Sequence, residues 1–140
     1  MVFIQDVGDH GPVGFSAYAT ENLPYDNRDV VQFDAIVSNI GNHYSPDTYK
    51  FTCPYNGLYL FNVNFVAYSN YQMTVKIVHE HNALLGADAQ PDFYQAASAS
   101  VVTECSEWDN VWVRCDSNGD YLYAGYKSSH FTGALIQAYI

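Results

Sequence analysis

Basic residues are scarce in this sequence. Its 140 residues include five Lys and Arg against fifteen Asp and Glu, which gives a formal net charge of −10. The five cations, Arg28, Lys50, Lys76, Arg114 and Lys127, are scattered singly along the chain. Binding to nucleic acid or to an anionic membrane surface depends on clustered Lys and Arg. We therefore expect neither nucleic acid nor a membrane as a partner.

Long apolar runs are also absent. Residues 51–75 carry no charged side chain, but Pro54, Gly57 and several Asn and Gln interrupt them, whereas a membrane helix needs about 20 consecutive apolar residues. Residues 1–6 have neither the basic segment nor the apolar run of a secretory signal. We therefore expect no membrane insertion. A mature or recombinant fragment of a secreted protein would also lack a secretory signal.

Motifs of catalysis are missing as well. There is no Gly-x-Ser-x-Gly nucleophile elbow, no His-Glu-x-x-His and no phosphate-binding Gly loop. His79 and His81 would share one face of a strand, which is an arrangement that can bind a metal, but Asn82 follows directly and favours the solvated end of a hairpin. We predict that the protein is not an enzyme.

The hydrophobic pattern is that of β-strands. The odd positions of residues 59–67 are apolar, whereas Asn62 and Asn64 occupy even positions. Residues 73–77 and 111–114 alternate in the same way, and Asn118-Gly119 is a turn sequence. No segment keeps a helical period for three turns. Strands that recur with turns between them predict an all-β sandwich or barrel.

The last predicted strand, residues 131–140, is apolar on much of both faces. An antiparallel strand with one solvated face alternates cleanly, so the second face of this strand needs a cover. Another copy of the chain is the simplest cover. A loop of the same chain is the alternative.

Three cysteines, Cys53, Cys105 and Cys115, leave at least one thiol unpaired within a monomer. If Cys105 and Cys115 flank a hairpin that turns at Glu107-Trp108, their sulfurs lie on the order of 16 Å apart along the ladder. A disulfide needs Cα atoms within roughly 7 Å. We predict three buried thiols and no disulfide, although another register would allow that bridge. Zinc is not expected, because no Cys-x-x-Cys spacing occurs.

Several motifs occur in the order of a known family. They are Val13-Gly14-Phe15-Ser16-Ala17, Val31-Gln32-Phe33-Asp34, Phe51-Thr52-Cys53-Pro54 with Gly57-Leu58-Tyr59, Asp109-Asn110-Val111-Trp112-Val113, and Phe131-Thr132-Gly133-Ala134-Leu135. Over nearly the whole chain this pattern resembles the globular head domain of the complement C1q family, a relative of the tumour necrosis factor fold. The Phe-Thr-Cys-Pro block and the Phe-Thr-Gly strand are its specific parts.

The resemblance implies a ten-stranded jelly-roll β-sandwich that assembles as a homotrimer. It agrees with the two-faced last strand, and we expect Phe131, Gly133, Leu135 and Tyr139 at the trimer axis. We expect residues 1–12 to form an N-terminal arm and residues 13–140 the globular domain. No Gly-X-Y collagen repeat precedes the domain, so the sequence is that of a head without a stem or one cut from it.

The resemblance also places a calcium-binding loop at residues 88–95, where Asp88, Asp92 and Gln95 are the expected ligands. Calcium prefers hard oxygen ligands of this kind, and a cation would relieve repulsion in a highly negative trimer. Asp88 and Asp92 would otherwise serve only to cap turns. We expect no other cofactor.

Loop aromatics and amides suit carbohydrate, because rings pack on the apolar faces of sugars and amides bind hydroxyl groups. The candidate ligand-binding residues are Tyr68, Asn70, Tyr71, Tyr94, Tyr123, Tyr126, Lys127 and His130.

The sequence therefore predicts a secreted, non-enzymatic domain of innate immunity that binds glycans or microbial surface molecules as a homotrimer. The alternatives are a trimeric signalling or adhesion ligand for a protein receptor, and a structural head that only trimerises a stem.

Overall fold

The computed structural model describes residues 10–140. This part of the chain contains twelve β-strands and a 3-10 turn at Gly125–Lys127. The strands are β1 (Gly14–Tyr18), β2 (Pro24–Tyr25), β3 (Ala35–Ile40), β4 (Tyr44–Ser45), β5 (Lys50–Thr52), β6 (Gly57–Ala67), β7 (Met73–His79), β8 (Asn82–Ala89), β9 (Ala96–Cys105), β10 (Asn110–Cys115), β11 (Asp120–Tyr123) and β12 (His130–Ala138).

The strands form two antiparallel sheets. In the first sheet the order is β9-β6-β12-β1-β3, and the second sheet has the order β4-β5-β10-β7-β8. The short strands β11 and β2 extend the first sheet beyond the end of β12, because β11 pairs with the last residues of β6. The expected all-β sandwich with ten principal strands is confirmed.

The core lies between the two sheets and follows the period of two. On β6, the odd positions from Tyr59 to Ala67 are buried, as the sequence predicts. Phe15 of β1 stacks on Tyr44 and Phe51 of the second sheet, with ring centroids 4.7 and 5.0 Å away, and meets Phe131 edge-on at 5.0 Å. These aromatic contacts join the sheets and fix the strand register.

Two residues of β12 that were expected at the trimer axis face the core instead. Phe131 and Gly133 are buried inside the sandwich, and a Cβ atom on Gly133 would stand 2.5 Å from the Phe15 ring. Both residues are therefore core residues of one subunit, and their assignment to a trimer axis is corrected. Ile136 alternates with these residues and is 52% exposed on the opposite side of the strand. A β-bulge between Leu135 and Gln137 shifts the register of the residues that follow.

The prediction of three free thiols is wrong. A disulfide joins Cys53 to Cys105, and Cys115 is the free, buried cysteine of the described residues. The assumed hairpin does not exist, because β9 pairs with β6 in the first sheet while β10 pairs with β5 and β7 in the second. Cys53 follows β5, so the disulfide ties the two sheets together at one end.

The predicted hairpin end at Glu80-His81 is confirmed, since these residues connect β7 to β8. Of the predicted arm at residues 1–12, residues 1–9 lie outside the described residues. Among the described residues, no helix is long and apolar enough to cross a membrane.

Candidate functional site

Six aromatic side chains meet at the end of the sandwich where β6 ends and β12 begins. We call this end the apex; the other end, where Gly57 pairs with Ala138, is the base. Three segments supply the rings: the β6–β7 loop, the β8–β9 loop and β11. The apex cluster consists of Tyr68, Tyr71, Phe93, Tyr94, Tyr121 and Tyr123.

Tyr68 lies at the centre of the apex cluster. Its ring centroid is 5.0 Å from that of Tyr121, 5.4 Å from that of Tyr94 and 6.0 Å from that of Tyr123. Tyr71 packs on Tyr121 at 5.0 Å. Most of these pairs are tilted or edge-to-face, which is the preferred arrangement of aromatic rings. The rings therefore form one continuous surface.

Backbone hydrogen bonds hold the three segments together. The Asn70 N–H donates to the Asp92 carbonyl oxygen at 2.7 Å, and the Tyr68 N–H donates to that of Tyr121 at 2.8 Å. Asn70 and Tyr94 adopt left-handed backbone conformations, with φ of 70° and 46°. Non-glycine residues rarely adopt these angles, and they concentrate at functional sites. The apex loops are thus tied to one another and to β11 by main-chain hydrogen bonds.

The apex cluster is open to solvent on its outer side. Phe93 is 74% exposed and Tyr71 is 43% exposed. Contact between the hydroxyl groups of Tyr68 and Tyr94 is the main cause that raises the pKa of Tyr94 above its ordinary value. The Tyr94 hydroxyl is therefore held against Tyr68 within the cluster.

The other predicted ligand residues lie beside this cluster. Tyr126 is 96% exposed on the 3-10 turn, and the Lys127 ammonium stands 4.9 Å from the Tyr18 ring. The buried Ser129 hydroxyl donates to the Tyr123 carbonyl oxygen and accepts the Val66 N–H, which anchors this turn to the apex. His130 pairs with Asn64 in the sheet.

The structure therefore brings together four of the predicted tyrosines, Tyr68, Tyr71, Tyr94 and Tyr123, with Asn70 at their edge. It adds Phe93 and Tyr121, which the sequence reasoning missed. Phe93 directly precedes Tyr94, a predicted ligand residue, in the loop at residues 88–95. This adjacency is the sequence signal that could have identified Phe93. Tyr121 is brought to Tyr68 only by the pairing of β11 with the end of β6.

The three expected calcium ligands do not complete a site within one subunit. The two Asp88 carboxylate oxygens accept hydrogen bonds from the Thr74 hydroxyl and the Gln90 amide. One Asp92 carboxylate oxygen accepts the Phe93 N–H at 2.8 Å, and the Gln95 carbonyl oxygen accepts the Ala67 N–H. A calcium ion needs six to eight oxygen ligands, so these three side chains alone are too few.

The His79 side chain is not free to bind a metal either. Its Nε2 atom lies 2.8 Å from an Asp109 carboxylate oxygen, and both residues stand near the Cys105 sulfur. A zinc site would use a cysteine thiolate, but Cys105 is bonded to Cys53. The group is therefore a structural support of the β9–β10 loop.

A row of small and apolar residues crosses the outward face of the first sheet near the base. Cross-strand pairing places Val102, Leu60, Ala134, Gly14 and Ile40 side by side on five successive strands. Val102, Leu60 and Ile40 are 55%, 40% and 51% exposed. Near the C-terminal end of β12, Ile136 and Tyr139 are 52% and 39% exposed. Leu135 is partly buried against the core. This face is the exposed apolar surface of the first sheet, whereas Phe131 and Gly133 lie in the core.

A cleft of about 620 Å³ borders β2, where Pro24 pairs with Tyr121 of the apex cluster. It is lined by residues of the segments 23–32 and 48–50, with Tyr25, Tyr49 and Lys50 among them. None of the residues predicted from the sequence lines it.

Comparison with known proteins gives one family. The model of the C1q domain matches residues 14–136. Complement C1q tumor necrosis factor-related protein 2 of Mus musculus is 30% identical over 128 residues, which are 89% of this chain and 43% of that protein. Complement C1q tumor necrosis factor-related protein 7 of Mus musculus is 29% identical over 126 residues, covering 87% of this chain and 43% of that protein. The chain thus spans a little under half the length of these relatives.

Solved structures agree on the fold. The globular domain of zebrafish complement 1qA protein has a TM-score of 0.74 at 18% identity and covers 91% of this chain and 99% of its own. The Eiger TNF of S. frugiperda has a TM-score of 0.78 at 7% identity and covers 94% and 96%. At these identities the likeness establishes the jelly-roll architecture alone.

Proposed function

The chain belongs to the C1q domain family, and on this premise we propose that it is a secreted, non-enzymatic recognition domain of innate immunity. It binds glycans or other microbial surface molecules as a homotrimer. The curated relatives are complement C1q tumor necrosis factor-related proteins, which are not enzymes. The apex cluster is the observation that carries the proposal.

The apex cluster has the chemistry of a sugar-binding surface. Aromatic rings stack on the apolar C–H face of a pyranose, while amides and phenols bind its hydroxyl groups. The cluster presents the exposed Phe93 and Tyr71 rings beside the exposed Asn70. Loops that are already ordered lose little conformational entropy when a ligand binds, which favours recognition of weakly binding sugars.

Assembly would multiply this weak binding. Domains of the C1q and tumour necrosis factor type form trimers, and the apolar row across the first sheet supports the same assembly here. A trimer presents three copies of the apex cluster on one rigid body, so simultaneous contacts raise the overall affinity without any new interaction.

The test is a screen of the purified protein against a glycan array and bacterial polysaccharides. We expect binding that falls at least about tenfold in Tyr71→Ala and Phe93→Ala, because each substitution removes an exposed ring. Trp108→Ala is the matched control, since Trp108 is 73% exposed at a different loop and Phe93 is 74% exposed. Tyr49→Ala is the control for the cleft. Absence of binding to every sugar and polysaccharide would overturn the proposal, and loss of binding in Tyr49→Ala alone would move the site to the cleft.

One observation favours a protein receptor as a second candidate. Trp108 is highly exposed and has a left-handed φ of 76°. Its N–H donates to the Cys53 carbonyl oxygen at 2.8 Å, so the disulfide-bonded segment holds it in place. Exposed, rigid tryptophans are common anchors of protein interfaces. A protein ligand would lose affinity in Trp108→Ala and keep it in Phe93→Ala, the reverse of the result expected for glycans.

A further inference from the structure

The apex cluster has no cationic side chain stacked on its rings. Among the described residues, the two cation–π contacts are those of Lys50 with Trp112 and Lys127 with Tyr18. Arg114 is paired with Asp116 at 2.6 Å. The exposed rings of Phe93 and Tyr71 therefore have no cation stacked on them, and the negative face of a ring attracts a positive charge.

A carboxylate accompanies these rings. Asp92 directly precedes Phe93 and is exposed. One of its carboxylate oxygens accepts the Phe93 N–H, and its carbonyl oxygen accepts the Asn70 N–H. The ion pairs found in the described residues are His79 with Asp109 and Arg114 with Asp116, so Asp92 has no cationic partner there. Its negative charge remains available to a ligand.

The net charge of the whole domain is negative, like the charge of Asp92. Its formal net charge of −10 repels acidic polymers and attracts cationic ones over distances up to the Debye length of about 8–10 Å. Uronic acids and sulfated sugars would approach the apex against this potential, and no arginine or lysine of the described residues stacks on the cluster to receive them. Acidic glycans are thus poor ligands by charge, although their rings have the same shape.

These observations rest on the proposed function and sharpen its ligand class. We propose that the apex cluster prefers glycans that carry free primary ammonium groups, such as polymers of amino sugars without N-acetyl groups. The sugar ring packs against Phe93 and Tyr71, and the ammonium group lies between the aromatic faces and the Asp92 carboxylate. An N-acetylated sugar keeps the ring contact and loses the charge, so it binds less tightly.

The test uses three β-1,4-linked tetramers of the same ring shape, made of glucosamine, N-acetylglucosamine or glucuronic acid. Titration calorimetry of the assembled protein at pH 6, where the amine is protonated, measures each affinity. We expect the glucosamine tetramer to bind about five- to tenfold more tightly than the N-acetylated one, and the glucuronic acid tetramer to bind most weakly. Added salt should reduce the difference, because it screens exposed charges.

Asp92→Asn is the decisive variant. It should bring the affinity for the glucosamine tetramer toward that for the N-acetylated tetramer. Glu107→Gln, which removes one exposed negative charge in the Trp108 loop, is the control for net charge and should keep the preference. Equal affinity for the three tetramers, or tightest binding of the acidic one, would overturn this inference and leave the proposed function in place. Absence of binding to all three and to the glycan array would overturn both.

Discussion

Leu60 of β6 and Val102 of β9 are direct cross-strand partners, and both side chains leave the first sheet on its outward face, where they are 40% and 55% exposed. Adjacent apolar residues on a sheet face are unfavourable in water, at about 25 cal/mol for each Å² that stays exposed. They are the centre of the apolar row, and their position leads to the first prediction.

Leu60→Asp should dissociate the assembly, because it would bury an unpaired charge between subunits. We expect light scattering at micromolar concentration to give about 47 kDa for the natural sequence, three times its 15.7 kDa mass, and about 16 kDa for the variant. Trp108→Asp introduces the same charge at an exposed loop and should remain assembled. A natural protein of 16 kDa would contradict the trimer.

Removal of the Cys53–Cys105 disulfide should lower the free energy of unfolding. The two cysteines are 52 residues apart, and closing a loop of this length in the unfolded chain is worth about 4 kcal/mol in the chain-entropy model. Urea unfolding of the Cys53→Ala/Cys105→Ala double variant measures the loss. Dithiothreitol should destabilise the natural protein and leave the double variant unaffected; equal stability of the two proteins would contradict the role of the disulfide.

The buried thiol of Cys115 should make stability depend on alkaline pH. Burial and the hydrogen bond to Asp120 raise the pKa of Cys115 from 9.0 to about 12. The unfolded chain therefore loses this proton first. The contribution of this group to the free energy of unfolding is fully present below pH 9. It declines as the pH rises from 9 to 12, by at most about 1.4 kcal/mol per pH unit.

Tyr25 adds to the decline above pH 10, because burial raises its pKa from 10.0 to about 12. Burial also raises the pKa values of Tyr44 and Tyr59, so urea unfolding of the natural protein and of Cys115→Ala at pH 8, 9, 10 and 11 separates Cys115 from the buried tyrosines. The variant should lose the decline between pH 9 and 10 and keep the later one. An identical pH profile for both proteins would show that the Cys115 thiol does not titrate as described.

Calcium at Asp88, Asp92 and Gln95 stays a prediction of the sequence. One subunit does not complete the site, so the remaining ligands would come from neighbouring subunits and binding would depend on assembly. We expect a chelator to lower the melting temperature and added calcium to restore it, because an ion that binds only the folded state stabilises it. Leu60→Asp and Asp92→Asn should each abolish this response. An unchanged melting temperature in chelator would contradict the prediction.

Local sequence was sufficient for the strands and their buried faces. Tyr59, Phe61 and Val63 of β6 are buried because strand side chains alternate between faces, and this alternation is written in adjacent residues. The loop positions of Tyr68, Tyr71 and Tyr94 were also predictable, since Asn and Pro near them interrupt the strands, whereas Tyr123 lies in β11. The pairing of cysteines was not, because it depends on which strands share a sheet.

By itself the sequence determined an all-β domain, its hydrophobic period and its acidic charge, since these follow from residue types and their spacing along a few neighbours. Only the tertiary structure decided that Cys53 meets Cys105 and that Tyr121 and Phe93 join Tyr68. It also decided that the exposed face of β12 belongs to Ile136 and not to Phe131. The disulfide and the ring contacts join residues distant in the chain, and their geometry depends on the order of the strands in the sheets, which the local pattern does not encode.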